Sequence, residues 1–133
     1  MKASSYRWHR QTIAETFERI CGGTTPWVAI GDFLDDWRRS AIEDRIELVE
    51  TPIASAPTPE LQPWAAFCAA MVELLCWQDN LPIPLWTDQE NYRLSEPWFI
   101  YEGKRLRAWQ LVSTPTPFKM RNIYGGDRML DRA

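Results

Sequence analysis

The sequence predicts an all-α fold, a small irregular helical bundle with extended Pro-rich segments and an extended C-terminal strip. Three observations predict it. Apolar residues recur at helical spacing in five stretches, Gly and Pro punctuate those stretches, and no series of alternating strands with hairpin turns occurs. The 133 residues fit one domain spanning 1–133, and a chain of this size buries roughly two-thirds of its unfolded surface.

The first helix is expected over 11–21, where Ile13, Phe17 and Ile20 make one stripe and Gly22-Gly23 ends it. The second is expected over 25–39. Thr25 suits an N-cap, Pro26 suits the first helical position, and Trp27, Ile30, Leu34 and Trp37 share a face. Ser40-Ala41-Ile42-Glu43 reads as a capping box opening a third helix over 41–49, with Ile42, Ile46 and Val49 in register. Three prolines in residues 51–59 make that stretch a loop. The fourth helix, 60–78, starts at Thr58-Pro59. Phe67, Met71, Leu74 and Leu75, with four alanines, make it apolar nearly all round, which places it in the middle of the bundle.

Beyond Asn80 the pattern changes. In Leu81-Pro82-Ile83-Pro84-Leu85-Trp86 prolines alternate with bulky apolar residues, so residues 81–99 are expected to run extended over the surface. Trp86 and the segment Leu94 to Phe99 would anchor them. A fifth helix over 104–113 presents Leu106, Trp109 and Val112. Residues 114–125 are expected to be extended, with Thr114-Pro115-Thr116-Pro117 polyproline-like. Gly125 and Gly126 would let the chain turn into a short final helix from Asp127 to Arg132.

Composition narrows the function. No run of about 18 apolar residues exists, so no membrane-spanning segment is expected. The first ten residues lack the apolar core of a secretory signal, which points to a cytoplasmic protein. Cys68 and Cys76 would lie roughly 12 Å apart along one helix, too far for a disulfide, so reduced thiols are expected. The eight tryptophans exceed the usual share, and core and interface both use such residues. The net charge of −3 is uneven. Residues 103–133 hold seven bases and two acids, a local +5. Residues 1–102 hold eight bases and sixteen acids, a local −8. Such asymmetry points either to internal docking or to a charged partner.

No catalytic set stands out and no cofactor is implied. The single histidine, His9, lies near a terminus, and no Cys/His spacing fits zinc. Asp32, Asp35 and Asp36 would fall near one face of the second helix, the chemistry a hard divalent metal needs, or simply a solvated helix face. No Gly-rich phosphate loop is present. Lys104, Arg105, Arg107, Lys119 and Arg121 interleave with Trp109, Phe118 and Tyr124, as in a surface that stacks bases and contacts phosphates. The pI of about 5.2 argues against nucleic acid as the main partner.

One series of motifs is distinctive. It runs Pro84-Leu85-Trp86-Thr87, Leu94-Ser95-Glu96-Pro97-Trp98-Phe99, Leu106-Arg107-Ala108, Thr114 through Tyr124, and Leu130-Asp131-Arg132-Ala133. Over residues 64–133 the chain resembles uncharacterised small bacterial proteins encoded beside nucleotidyltransferase-like genes, an arrangement similar to a toxin–antitoxin pair. That resemblance implies a non-enzymatic chain with a protein partner, an antitoxin-like or regulatory role, and no catalytic residues to carry over. Trp, Tyr and Arg dominate interface energies, and Pro-stiffened segments lose little entropy on docking. The expected partner-binding residues are therefore Trp86, Trp98, Phe99, Phe118, Arg121, Asn122, Ile123 and Tyr124. The same side chains would equally serve as a clasp that pins the extended segments to their own helical core.

Overall fold

The computed structural model describes residues 9–131 and is mainly helical, as expected. Its helices are α1 (Ile13–Cys21), α2 (Pro26–Arg39), α3 (Ile42–Val49), α4 (Gln62–Gln78), α5 (Lys104–Ser113) and the single turn α6 (Thr116–Lys119). No helix among the described residues is long and apolar enough to cross a membrane.

Local chemistry sets the helix limits. α1 begins at a capping box that the sequence reading missed. The Thr12 hydroxyl accepts from the Glu15 backbone N–H while the Glu15 carboxylate accepts from the Thr12 N–H. Gly22 and Gly23 end it, Gly23 at φ +105°. α2 starts with Pro26 in its first turn, although the Thr25 side chain makes no cap bond. The expected capping box at Ser40 does not form. Ser40 closes α2 instead, its hydroxyl donating to the Asp36 carbonyl, and Ala41 stands before α3. A 3-10 turn, Pro59–Leu61, leads into α4.

α4 occupies the centre. Residues 65–72 and 74–76 are all buried, and it packs against α1, α6 and the 3-10 turns at Leu85–Asp88 and Glu90–Tyr92. Phe67 is the hub of an aromatic cluster. Its ring centroid lies 5.5 Å from Trp27, 5.7 Å from Trp64, 6.4 Å from Trp98 and 5.0 Å from Phe118. Four elements thus meet on one side chain, with aromatic pairs worth about 0.5–1.5 kcal/mol each beyond area burial.

Residues 81–99 contain no α-helix but depart from the expected extended run, since 85–88 and 90–92 wind into 3-10 turns; Trp86 does anchor the segment, donating from Nε1 to the Val49 carbonyl at 2.9 Å. The C-terminal strip departs from the expected extended run over 116–122 and keeps to it at 123–124. Residues 116–119 make the α6 turn rather than an extended run. Two prolines permit this, Pro115 preceding the turn and Pro117 lying within its first residues, where a missing N–H costs nothing. Residues 123–124 then form β2 (Ile123–Tyr124), paired in parallel with β1 (Trp98–Phe99), Trp98 opposite Ile123 and Phe99 opposite Tyr124. The Leu94 N–H donates to the Arg121 carbonyl at 3.1 Å, extending the tie.

The expected final helix is absent over 127–131, which form a bend and a turn; Arg132 lies outside the described residues. Met129 folds back over Gly125, and the Arg38 guanidinium donates to the Leu130 carbonyl at 2.8 Å, so this stretch is held flat against the body. Gly126 sits at φ +80° beneath the Trp109 ring, where a Cβ would overlap the indole. Gly126→Ala is therefore expected to cost about 2 kcal/mol and lower the Tm by roughly 5–10 °C in a thermal melt. An unchanged Tm would contradict this seating of Trp109.

Candidate functional site

The eight residues singled out from the sequence converge, and they form a clasp. Arg121 is its centre. The residue is 3% exposed; its Nη2 forms an ion pair with Glu73 Oε1 on α4 at 2.8 Å and donates to the Thr87 carbonyl at 2.7 Å. Nη1 donates to the Pro117 carbonyl at 2.7 Å. Phe118 and Ile123 are fully buried, and Trp86 is buried edge-on to Tyr92. Asn122 takes a left-handed φ of +68° and donates from Nδ2 to the Leu94 carbonyl at 3.1 Å. Trp98 is half-buried against Trp64, with centroids 4.9 Å apart. Phe99 and Tyr124 stack at 5.1 Å, and the Arg107 guanidinium lies 5.1 Å over the Phe99 ring.

Trp86, Phe118, Arg121 and Ile123 thus face inward, where the clasp alternative places them. The burial has a simple cause. Each finds its partner within the chain, apolar surface for the rings and three acceptors for the guanidinium, so exposure would leave those groups unmatched.

The acidic cluster is committed as well. Asp36 Oδ2 accepts from the Gln11 backbone N–H at 2.8 Å and Oδ1 lies 3.8 Å from Arg39, while Asp32 pairs with Arg19 at 2.9 Å. These residues line an open cleft of about 610 Å³ together with Glu15, Glu18 and Asp35. Burial pushes the Glu15 carboxyl up, but the Thr12 backbone and the His9 ring outweigh it and hold Glu15 below the usual range. His9 Nε2 lies 2.8 Å from Glu15 and not against a thiol. No group of three or more His, Cys, Asp or Glu side chains that could hold a metal ion occurs among the described residues.

The cationic stretch divides. Lys104, Arg105 and Arg107 are exposed on α5, Lys119 donates to the Val112 carbonyl at 3.1 Å, and Arg121 is enclosed. The inward side of α5 was misread. Val112 is 78% exposed, and the buried residue is Gln110. Its Oε1 accepts from the Tyr101 N–H and its Nε2 donates to the Tyr101 carbonyl, both at 3.0 Å, so the amide stands in for a neighbouring strand.

Sequence reasoning also missed the outward apolar residues. Trp77 near the end of α4 is 68% exposed, and in the Pro-rich segment Leu85 is 92% and Ile83 40% exposed. Trp77 follows Glu73 by one helical turn, and Leu85 opens the 3-10 turn that carries Thr87. Both therefore belong to segments that meet at the Arg121 ion pair. The signal was present, since Trp77 precedes the polar run Gln78-Asp79-Asn80, but a tryptophan at the end of an apolar helix reads as core.

Two outcomes follow. Arg121→Met leaves the Glu73 carboxylate and two carbonyls unmatched, so urea unfolding should show a loss of about 3–5 kcal/mol; a loss below about 1 kcal/mol would contradict the role given to Arg121. The thiols should be unreactive in the folded chain. Burial pushes Cys68 well up and Cys76 to about 11, and burial with nearby Glu18 raises Cys21, which is the most accessible of the three. A thiol reagent near neutral pH is expected to modify Cys21 slowly, and Cys68 and Cys76 only in denaturant.

No protein-family model, curated protein or solved structure matches the chain.

Proposed function

We propose that the chain is a non-enzymatic protein-interaction module, an antitoxin-like or regulatory partner that occludes the active site of a nucleotidyltransferase-type toxin encoded beside it. The observation that supports this reading best is the exposure of three large apolar side chains, Trp77, Ile83 and Leu85, on the two segments that meet at Arg121. Pro82 and Pro84 stiffen the strip on which two of these residues stand, so little entropy is lost when it docks. Tryptophan is among the residue types most enriched in interface hot spots, and Trp77 is largely exposed. The motif series of the second half supplies the kind of partner, and occlusion requires no chemistry from this chain.

Co-expression with the neighbouring nucleotidyltransferase-type product tests it, with pull-down and growth as readouts. The wild-type chain is expected to form a complex and restore growth. Trp77→Ala is expected to weaken the complex about thirtyfold or more, and Leu85→Glu to abolish it, with melting temperatures close to wild type. Absence of a complex, or a complex indifferent to both substitutions, would refute this reading.

A further inference from the structure

The cations of α5 stand apart from the others. Among the described residues, every other Arg and Lys except Arg128 pairs with a carboxylate or donates to a backbone carbonyl. Lys104, Arg105 and Arg107 do neither with any described residue, and all three are exposed. The first turn of α5 also holds no acid, and no side chain caps its N–H groups. Backbone donors and side chains alike therefore favour an anion there. The other end of the helix is already served, since Lys119 donates to the Val112 carbonyl.

Aromatic rings flank these charges on both sides. On one flank the Tyr101 and Trp109 rings lie 6.2 Å apart, tilted by 39°, and the two residues are 39% and 37% exposed. Arg105 precedes Trp109 by one helical turn and so neighbours it on the helix surface. On the other flank Arg107 lies over the Phe99 ring, which stacks on Tyr124. At 3.6 residues per turn Lys104 falls between Arg105 and Arg107, on the side that the buried Gln110 does not occupy. Glu102 is the one acid between Tyr101 and Trp109. A bridge of unpaired cations between two sets of rings matches a ligand in which negative charge alternates with flat apolar surface.

We propose that this surface binds single-stranded nucleic acid, whose backbone crosses the first turn of α5. Phosphates lie against Lys104 and Arg105, and bases stack on the open parts of Tyr101 and Trp109 and on the Arg107 guanidinium. In a duplex the bases are already stacked on one another, so the rings would have nothing to hold. An acidic peptide would meet the cations and leave the rings unused. A membrane surface fits less well, because Leu106 and Leu111 fall well apart around the helix and give it no continuous apolar face. None of these residues is Trp77, Ile83 or Leu85, so the proposal does not rest on the protein-partner reading. The net charge of −3 opposes the approach of a polyanion and keeps the binding weak.

Fluorescence anisotropy of end-labelled oligothymidylate and oligouridylate, each about ten nucleotides long, tests this with the full chain and separates DNA from RNA. At least one strand is expected to bind with a dissociation constant of about 1–100 μM near 50 mM salt, its log affinity falling against log salt with a slope of about −2. Lys104→Ala and Arg105→Ala together should weaken binding at least about tenfold and reduce the slope to about −0.7. Tyr101→Ala should weaken it about fivefold or more, while Tyr101→Phe binds as the wild type does. An abasic strand of the same length tests stacking without touching the protein, and should bind about tenfold more weakly. Arg39→Ala removes a paired cation on α2 and should change the affinity less than about twofold. Failure of both strands to bind overturns the proposal, as does binding that the double substitution leaves intact. An abasic strand that binds equally well overturns it too, as does tighter binding to vesicles of phosphatidylserine and phosphatidylcholine.

Discussion

The fold turns on one enclosed charge. Taking a guanidinium out of water costs several kcal/mol unless each part of it is matched. Arg121 meets that condition with a carboxylate from α4, a carbonyl from the turn at Leu85–Asp88, and a carbonyl from its own segment. A planar fork with fixed donors reaches three acceptors in different directions, which a lysine ammonium on a flexible stem does less well. The geometry settles where the late segment lies. Once Arg121 is seated, Phe118 falls onto Phe67, Asn122 onto the Leu94 carbonyl, and Ile123 beside Trp98. Part of the local +5 of residues 103–133 is set against the acidic body through Arg121 and Glu73, while Lys119 is tied to the Val112 carbonyl of its own segment.

The surface divides along the same line. Wherever the clasp reaches, local rules and packing agree: aromatic rings are covered and polar groups are matched, and no buried side-chain polar atom among the described residues lacks a partner. Where it does not reach, they disagree. Trp77 and Leu85 stand in water beside the buried pair, and α5 carries its charges in the wrong order for a free helix. Departures of this kind concentrate at sites that meet something else, because a sequence that specifies only its own fold has no reason to retain them.

The helices were legible because periodicity and punctuation are local. Pro26, Gly22 and the apolar circumference of α4 need no knowledge of the rest of the chain. The clasp residues were legible as anchors but not as to what they anchor, since Trp, Phe and Arg hold cores and interfaces by the same physics. Elements set by distant contacts were not legible. Two-residue strands leave no alternation to detect, and a parallel pair has no hairpin turn to announce it. Ser40 resembled a cap because the sequence does not show that the preceding carbonyl would claim its hydroxyl. Gln110 displaced Val112 from the inward side because it answers the backbone of Tyr101, a demand invisible in the helical pattern itself.

The parallel pairing of β1 with β2 also bears on how the chain reaches this state. A parallel partner arrives only after a crossover, here through α5 and α6, so β1 has no mate until the stretch beyond residue 120 has left the ribosome. The helices up to α4 can collapse earlier, leaving Phe67 without Phe118 and Glu73 without its counter-ion. Through that interval an aromatic hub lies open to other nascent chains. Slow, non-local closure of this sort sets the period in which a holdase chaperone, or early engagement of a binding protein, would matter most.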